Sequence, residues 1–431
     1  MLRDQVQAVV KAQRRLASLR EDEKNVLLTG IAEVLQREKD RIFAAQEEDI
    51  LRAREEGLAE PLIKRLALDQ HKLDGLCRGI EDVITLKDPT RRILSARELD
   101  DGLKLYQETC PIGVIGMVFE SRPDALVQIA SLCLKSGNGI VLKGGREALR
   151  TNRVLFECIQ QAVKEKNIPG LSPEWICLLE TREEVTRMLD LDDLIDLLIP
   201  RGSNEFVQYI MDHTRIPVLG HADGICHLYI DEQADIDLAV SVCVDAKCQY
   251  PAVCNALETL LVDRNIAPTV LPPLAEALRE RGVELRGDEE TARIIPCSAA
   301  TQEDWSTEYL DLILSIRIVG TFQEAVDHIH TYGSGHTDGI ITSDEQLAGK
   351  FMEMVDSAGV FWNCSTRFAD GYRYGLGAEV GISTQKIHAR GPVGMEGLVT
   401  YKWKLYGSGQ VSETYAGSQG KPFTHREIDI T

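Results

Sequence analysis

No stretch of this chain approaches the ~20 consecutive apolar residues of a membrane-spanning helix. Its opening, MLRDQVQAVVKAQRR, lacks the apolar centre of an export signal. Basic residues are scarce beside acidic ones, 48 against 68, and the formal net charge of -20 repels phosphate backbones and anionic headgroups. Nucleic acid and membrane surfaces are therefore excluded as partners, whereas a small anionic ligand is compatible with a local convergence of cations. The 11 cysteines include no CxxC pair, and no His-x-x-x-His segment stands near Cys243, Cys248 and Cys254. The ligand spacing of a zinc site is missing, so no metal is expected. An odd cysteine count without an export signal points to free thiols in a reducing, cytoplasmic compartment, most of them acting as small core hydrophobes. No repeat of fixed period is present.

What the chain has is length and alternation. Its 431 residues, 44% hydrophobic, suffice for two or three domains with sizeable cores. Up to about residue 90 the apolar residues recur at three and four spacing between charged faces, which predicts a helical layer. The stretch RRILSARELDDGLKLYQETCP then alternates apolar and polar residues around Asp101-Gly102, a hairpin signal suited to a connecting or dimerising arm. From Pro111 strands and helices alternate: PIGVIGMVFE, a helix ending at Gly137, GIVLKGG, a long helix, WICLLE, a helix opened by Thr181 with Glu184 three residues on, and DLIDLLIPRGS running into NEFVQYIMDH. That order implies a mostly parallel sheet covered on both faces, with ligands beyond the carboxyl ends of its strands. A second alternation runs from about residue 223 to 383. The glycine-rich remainder ends in an alternating strand suited to pairing with a partner, and the tail from about Ser408 reads as weakly ordered.

Lys247 to Val262, KCQYPAVCNALETLLV, places a thiol in a loop beside an apolar strand, where a nucleophile can meet a substrate. A cysteine in apolar surroundings is often inert packing. A thiolate is also the best side-chain nucleophile near neutral pH, and a thioester divides one difficult acyl reduction into two easier steps.

Taken in order, PIGVIGMVFESRPDALVQIASLCLKSGNGIVLKGGREA, LIPRGS, CQYPAVCNALETLLV, YGSGHTDGIIT, STRFADGYRYGLGAEVGIS and IHARGPVGMEGLVTYKW resemble segments of the gamma-glutamyl phosphate reductase family. That family, also called glutamate-5-semialdehyde dehydrogenases, lies in the aldehyde dehydrogenase superfamily, and the C-terminal half of pyrroline-5-carboxylate synthases is similar. The resemblance implies an α/β, aldehyde dehydrogenase-like fold, with two doubly wound parallel-sheet domains and a β-hairpin oligomerisation arm. Residues 1–222 with 384–397 would form the cofactor-binding domain, 223–383 the catalytic domain, and 92–110 with 398–415 the arm. With no kinase domain preceding it, the chain is expected to carry the reductase step alone.

The same resemblance assigns roles. Cys254 in CNALET becomes the nucleophile, with Asn255 beside it at the oxyanion, and Cys248 is read as structural. Lys143, Gly144 and Arg146 in VLKGGREA would approach a nucleotide ribose and phosphate. NAD-preferring relatives commonly carry Glu where Arg146 stands; a guanidinium there attracts a ribose 2'-phosphate, so NADPH is the expected cofactor. Gly202 and Ser203 would face the pyrophosphate, and Glu308 would meet the nicotinamide ribose. Arg122 in ESRPD has two readings, an anchor for phosphate or the developing oxyanion, and a structural ion pair with Glu120 or Asp124. Ser365, Thr366 and Arg367 are the candidates for holding the glutamyl chain. The histidines of HIHTYGSGHTD have two readings, an approach to the site and a structural role, and the structural one is taken. Where hydrolytic members carry a Glu base, GHADGIC puts His221, and the loss of a water-activating base suits a thioester meant for hydride.

The implied reaction is reduction of L-glutamyl 5-phosphate to L-glutamate 5-semialdehyde and phosphate, in proline biosynthesis. The implied partners are a glutamate 5-kinase and a second copy of the chain, as a homodimer or higher oligomer. A hydrolytic aldehyde dehydrogenase and a catalytically silent scaffold of the same fold are the alternatives, separated by phosphate dependence and by cofactor binding.

Overall fold

The computed structural model describes residues 2–58, 63, 65–120, 122–202, 204–220 and 223–429. The chain forms two compact units, one of 1–202, 209–218 and 394–431, the other of 203–208 and 219–393. The segment 384–393, expected with the cofactor-binding domain, belongs to the second unit. Its last residues, Gly391–Val393, pair antiparallel with Gly381–Ser383 and so carry the chain back onto that unit.

The first unit begins with the expected helical layer. Leu2–Leu16 buries Leu2, Val6, Val9, Ala12 and Leu16, one stripe at three and four spacing, and Glu21–Arg37, Lys39–Glu55 and Gln70–Thr85 follow. Its parallel sheet runs in the order Ile176–Leu179, Gly139–Lys143, Val114–Phe119, Leu197–Arg201. Thr181 and Glu184 make the expected reciprocal cap on Arg182–Met188.

The hairpin forms as read: Ile93–Asp100 pairs antiparallel with Leu103–Pro111 across Gly102, whose φ of 73° is the left-handed conformation glycine adopts without penalty. Val399–Tyr406 extends this sheet on the Leu103–Pro111 side. The tail after Ser408, read from sequence as weakly ordered, instead closes the other side. Arg426–Glu427 pairs with Ile93–Asp100, Tyr415 Oη donates to Asp100 Oδ2 at 2.9 Å, and Tyr415 stacks on Phe423 at 4.4 Å. Low hydropathy hid these contacts because they are polar and aromatic, made to a strand some 300 residues earlier.

The second unit holds a seven-stranded, wholly parallel sheet in the order Ser298–Ala299, Glu284–Gly287, Ile313–Val319, Leu257–Asp263, Cys226–Ile230, Thr337–Ile341, Gly359–Trp362. Successive side chains in a strand point to opposite faces. Leu228, Ile230, Leu260 and Val262 join one core with the helices Ile236–Cys248 and Ala267–Glu280. Tyr229, Leu261 and Ile340 join the other, with Phe322–Tyr332 and Glu345–Met354. Both faces are thereby covered, which is why these strands read as continuous apolar runs.

Candidate active site

In the second unit the candidates lie at the amino edge of the sheet, the side on which KCQYPAVCNALETLLV puts its thiol ahead of a strand. Gly224, Cys254, Glu308 and His336 each precede a strand: Cys226–Ile230, Leu257–Asp263, Ile313–Val319 and Thr337–Ile341. Because these neighbours are parallel and in register (Cys226 opposite Leu257, Asp338 opposite His227), their amino ends lie side by side. The loops before them converge on the thiol.

Cys254 is half-buried. Its Sγ lies 3.2 Å from His336 Nε2, and its carbonyl oxygen accepts from the Cys226 thiol at 3.3 Å. Burial, and then the charges of Glu308 and Glu379, push the thiol up to about 12, against a smaller opposing pull from Arg367. At neutral pH the resting group is therefore a thiol, and attack requires a proton acceptor. The 226 loop is pressed against the nucleophile: a Cβ on Gly224 would stand 2.2 Å from the Cys254 carbonyl oxygen and 2.4 Å from its Cα. Backbone cannot yield cheaply, so Gly224→Ala is expected to displace the nucleophile and lower kcat/KM by about 10²-fold, the cost of a misplacement near 1 Å. Cofactor titration by fluorescence, unchanged in the variant, checks that the loss lies at the thiol.

The segment 365–369 is clasped to this loop. Asn255 Nδ2 donates to Ala369 O at 2.9 Å, and Thr366 Oγ1 donates to Asn255 O at 2.8 Å. Ser365 Oγ caps the turn by accepting from Arg367 N at 3.3 Å. Asn255, Ser365 and Thr366 thus spend these polar groups on fixing Arg367 beside the nucleophile. Arg367 is buried, its Nε donates to Gln249 Oε1 at 3.0 Å, and its carbonyl accepts from Arg373. Burial, and then the Arg373 charge, lower its pKa. The charges of Asp370 and Asp245 oppose that shift, and the guanidinium N–H groups beyond Nε suit a further anion. Glu308 Oε2 accepts from Asn204 Nδ2 at 2.7 Å, which orients the carboxylate; Asn204 also donates to Asp223 at 2.7 Å.

The first unit gathers its candidates at the carboxyl edge, as expected. Lys143 and Arg201 end the two strands that flank Val114–Phe119 in that sheet, with Gly144 and Gly202 immediately beyond them. Lys143 is half-buried, and burial lowers its pKa against the favourable charges of Glu147 and Glu120. Gly144 lies close against the following helix, since a Cβ there would meet Asn152 Nδ2 at 2.1 Å. Arg146 is exposed and pairs with Glu56 at 2.8 Å, while its carbonyl accepts from Arg52. Arg122 pairs with Asp124 at 2.9 Å, the structural one of its two readings. Ser203 and His221 lie outside the described residues. No cluster of three metal-ligating side chains occurs among the described residues, and none of their helices is long and apolar enough to cross a membrane.

His336 is one of the histidines that the sequence brings within reach of the site but that read there as structural. A histidine in a glycine-rich turn carries little signal of its own, and the parallel alignment of the strands brings it to the thiol, 82 residues away in sequence.

Comparison with known proteins follows the same lines. Residues 2–312 match the aldehyde dehydrogenase family. The chain is 59% identical over 421 residues to the gamma-glutamyl phosphate reductase of Acetivibrio thermocellus, covering 98% of this chain and 97% of that one. It is 54% identical to the gamma-glutamyl phosphate reductase of Methanosarcina mazei, covering 100% and 99%. The crystal structure of the gamma-glutamyl phosphate reductase of Thermotoga maritima superposes with a TM-score of 0.93 at 41% identity, covering 95% and 99%. The chain accordingly belongs to the aldehyde dehydrogenase family, and within it to the gamma-glutamyl phosphate reductases.

Proposed function

We propose that this enzyme reduces L-glutamyl 5-phosphate to L-glutamate 5-semialdehyde and phosphate, a step of proline biosynthesis, through a thioester on Cys254 and with NADPH as reductant. The observation that carries the reading is the Cys254 thiol beside a buried, anion-seeking Arg367, in a chain whose relatives at 54–59% identity bear the name of that activity.

Cys254 Sγ attacks the acyl carbon, phosphate departs, and the acyl group remains on sulfur. Backbone amides of the nucleophile loop hold the oxyanion. Arg367, fixed by Ser365, Thr366 and Asn255, takes the carboxylate of the glutamyl chain. Arg122 keeps its ion pair with Asp124 in this reading.

Family members use nicotinamide cofactors. The cations of the first unit fit an anionic dinucleotide: Lys143 and Gly144 at a strand's carboxyl end would meet ribose and phosphate, and Arg146 would exchange Glu56 for a 2'-phosphate. Gly202 and Ser203 would hold the pyrophosphate, and Glu308, oriented by Asn204, would accept from the nicotinamide ribose. When bound, the cofactor supplies hydride to the thioester carbon.

Val399–Tyr406 borders a four-stranded sheet and leaves Tyr401, Trp403, Leu405 and Tyr406 exposed, which supports a second subunit pairing along it. A glutamate 5-kinase supplies the acyl phosphate, in the cytoplasm.

The reverse reaction tests the proposal. Semialdehyde is expected to reduce NADP only when phosphate is present, and to use NADP in preference to NAD. Brisk oxidation without phosphate overturns it.

A further inference from the structure

Resting on the reading of Cys254 as nucleophile, we infer that His336 is its catalytic base, Nε2 accepting the Sγ proton as sulfur attacks carbon.

The geometry is that of a thiol–imidazole pair. Nε2 lies 3.2 Å from Sγ, and His336 is buried, 1% exposed. Nδ1 lies 2.9 Å from Thr337 Oγ1 and 3.7 Å from Cys226 Sγ. The Cys226 thiol donates to the Cys254 carbonyl at 3.3 Å, so an Nδ1–H given to Thr337 Oγ1 leaves the Nε2 lone pair facing Sγ. A lone buried histidine is ordinarily a satisfied core residue, but core packing does not require contact with the nucleophile.

The thiol needs such a partner. Burial, Glu308 and Glu379 hold Cys254 protonated near neutral pH, so a resting thiolate is not available to attack. In the first half-reaction the S–C bond forms, the C–O bond to phosphate breaks, and the thiol proton passes through Nε2 to the departing phosphate oxygen. In the second, reduction of the thioester by the nicotinamide cofactor breaks the C–S bond, and the sulfur takes a solvent proton back by way of Nε2. Among the groups facing the imidazole are the thiols of Cys254 and Cys226 and the Thr337 hydroxyl. Behind them, Glu308, Glu379 and Arg367 act on Cys254, and Asp338 and Glu258 on Cys226. A neutral imidazole is the active form, so attack by sulfur weakens once the imidazole takes up a proton.

The test uses the full chain with three variants, His336→Gln, His336→Ala and Cys254→Ser. Alkylation of Cys254 by iodoacetamide, read by peptide mass, is expected to rise with pH in the wild type, with an inflection where the imidazole loses its proton. In His336→Gln it should be at least about tenfold slower near pH 7, with that inflection lost. Phosphate-dependent semialdehyde oxidation should fall about 10²-fold or more in both His336 variants with the KM for NADP kept. Added imidazole should restore part of it in His336→Ala, which a purely structural role would not allow. A His336→Gln enzyme with wild-type alkylation profile and turnover overturns the inference while an inactive Cys254→Ser leaves the nucleophile in place. An active Cys254→Ser overturns the nucleophile reading itself, and the inference with it.

Discussion

Cys254→Ser is expected to lower phosphate-dependent turnover by about a thousandfold or more, a loss of roughly 4 kcal/mol in transition-state stabilisation. The substitution keeps the shape of the loop and removes the polarisable sulfur. A serine hydroxyl is a far weaker nucleophile, and the carboxylates of Glu308 and Glu379, which already disfavour the thiolate, disfavour an alkoxide more strongly. Asn255 and Thr366 still hold the neighbouring segment, so the variant should fold and bind cofactor normally. Steady-state kinetics on Cys254→Ser and on Cys248→Ser as control provide the check, since Cys248 packs against the core and should be replaceable with little change in rate.

Lys247→Met is expected to destabilise the second unit by about 3–5 kcal/mol, the usual cost of leaving one partner of a buried ion pair. Lys247 and Glu258 are both fully buried, with Nζ 2.7 Å from Oε2. Burial drives each toward its neutral form, pushing Glu258 up to about 7 and Lys247 down, while their contact opposes the shift. Removing the ammonium withdraws that opposition, and the carboxyl pKa rises further. A carboxyl whose folded pKa is raised disfavours the folded state once pH exceeds its unfolded value. The destabilisation should therefore be smallest in the ordinary carboxylate range near 4.5 and grow as pH rises through 7. Chemical unfolding at several pH values measures it. Glu258 also accepts from Leu310 N at 3.4 Å, and Leu310 has a left-handed φ of 53° two residues after Glu308. A leucine keeps that conformation only where its surroundings enforce it, so the ion pair also helps to position the Glu308 carboxylate.

Local signals carried far in this chain and long-range ones did not. The hairpin was legible because Asp101-Gly102 and the alternation around it lie within a few residues of one another. The Thr181–Glu184 cap was legible for the same reason. The carboxyl-edge rule located Lys143, Gly144 and Gly202, because strand, turn and helix follow directly in sequence there. At the second sheet four loops meet at the amino edge. Their convergence depends on strand order and register, which no local pattern encodes. Asn255 was placed beside the reaction by the CNALET motif, and Ser365 and Thr366 by the Gly-rich loop that follows them; their hydrogen bonds show side chains that brace Arg367. His336 reads as structural in the sequence for the plainest reason: a single titratable residue acquires a role only from what the fold sets against it.

The most direct measurement of the central claim is the intact mass of enzyme mixed with semialdehyde and NADP in phosphate-free buffer. The account predicts a glutamyl adduct on the peptide containing Cys254, formed with an equivalent burst of NADPH and discharged when phosphate is added. Sustained NADPH production without phosphate, or an adduct on any other residue, would contradict it.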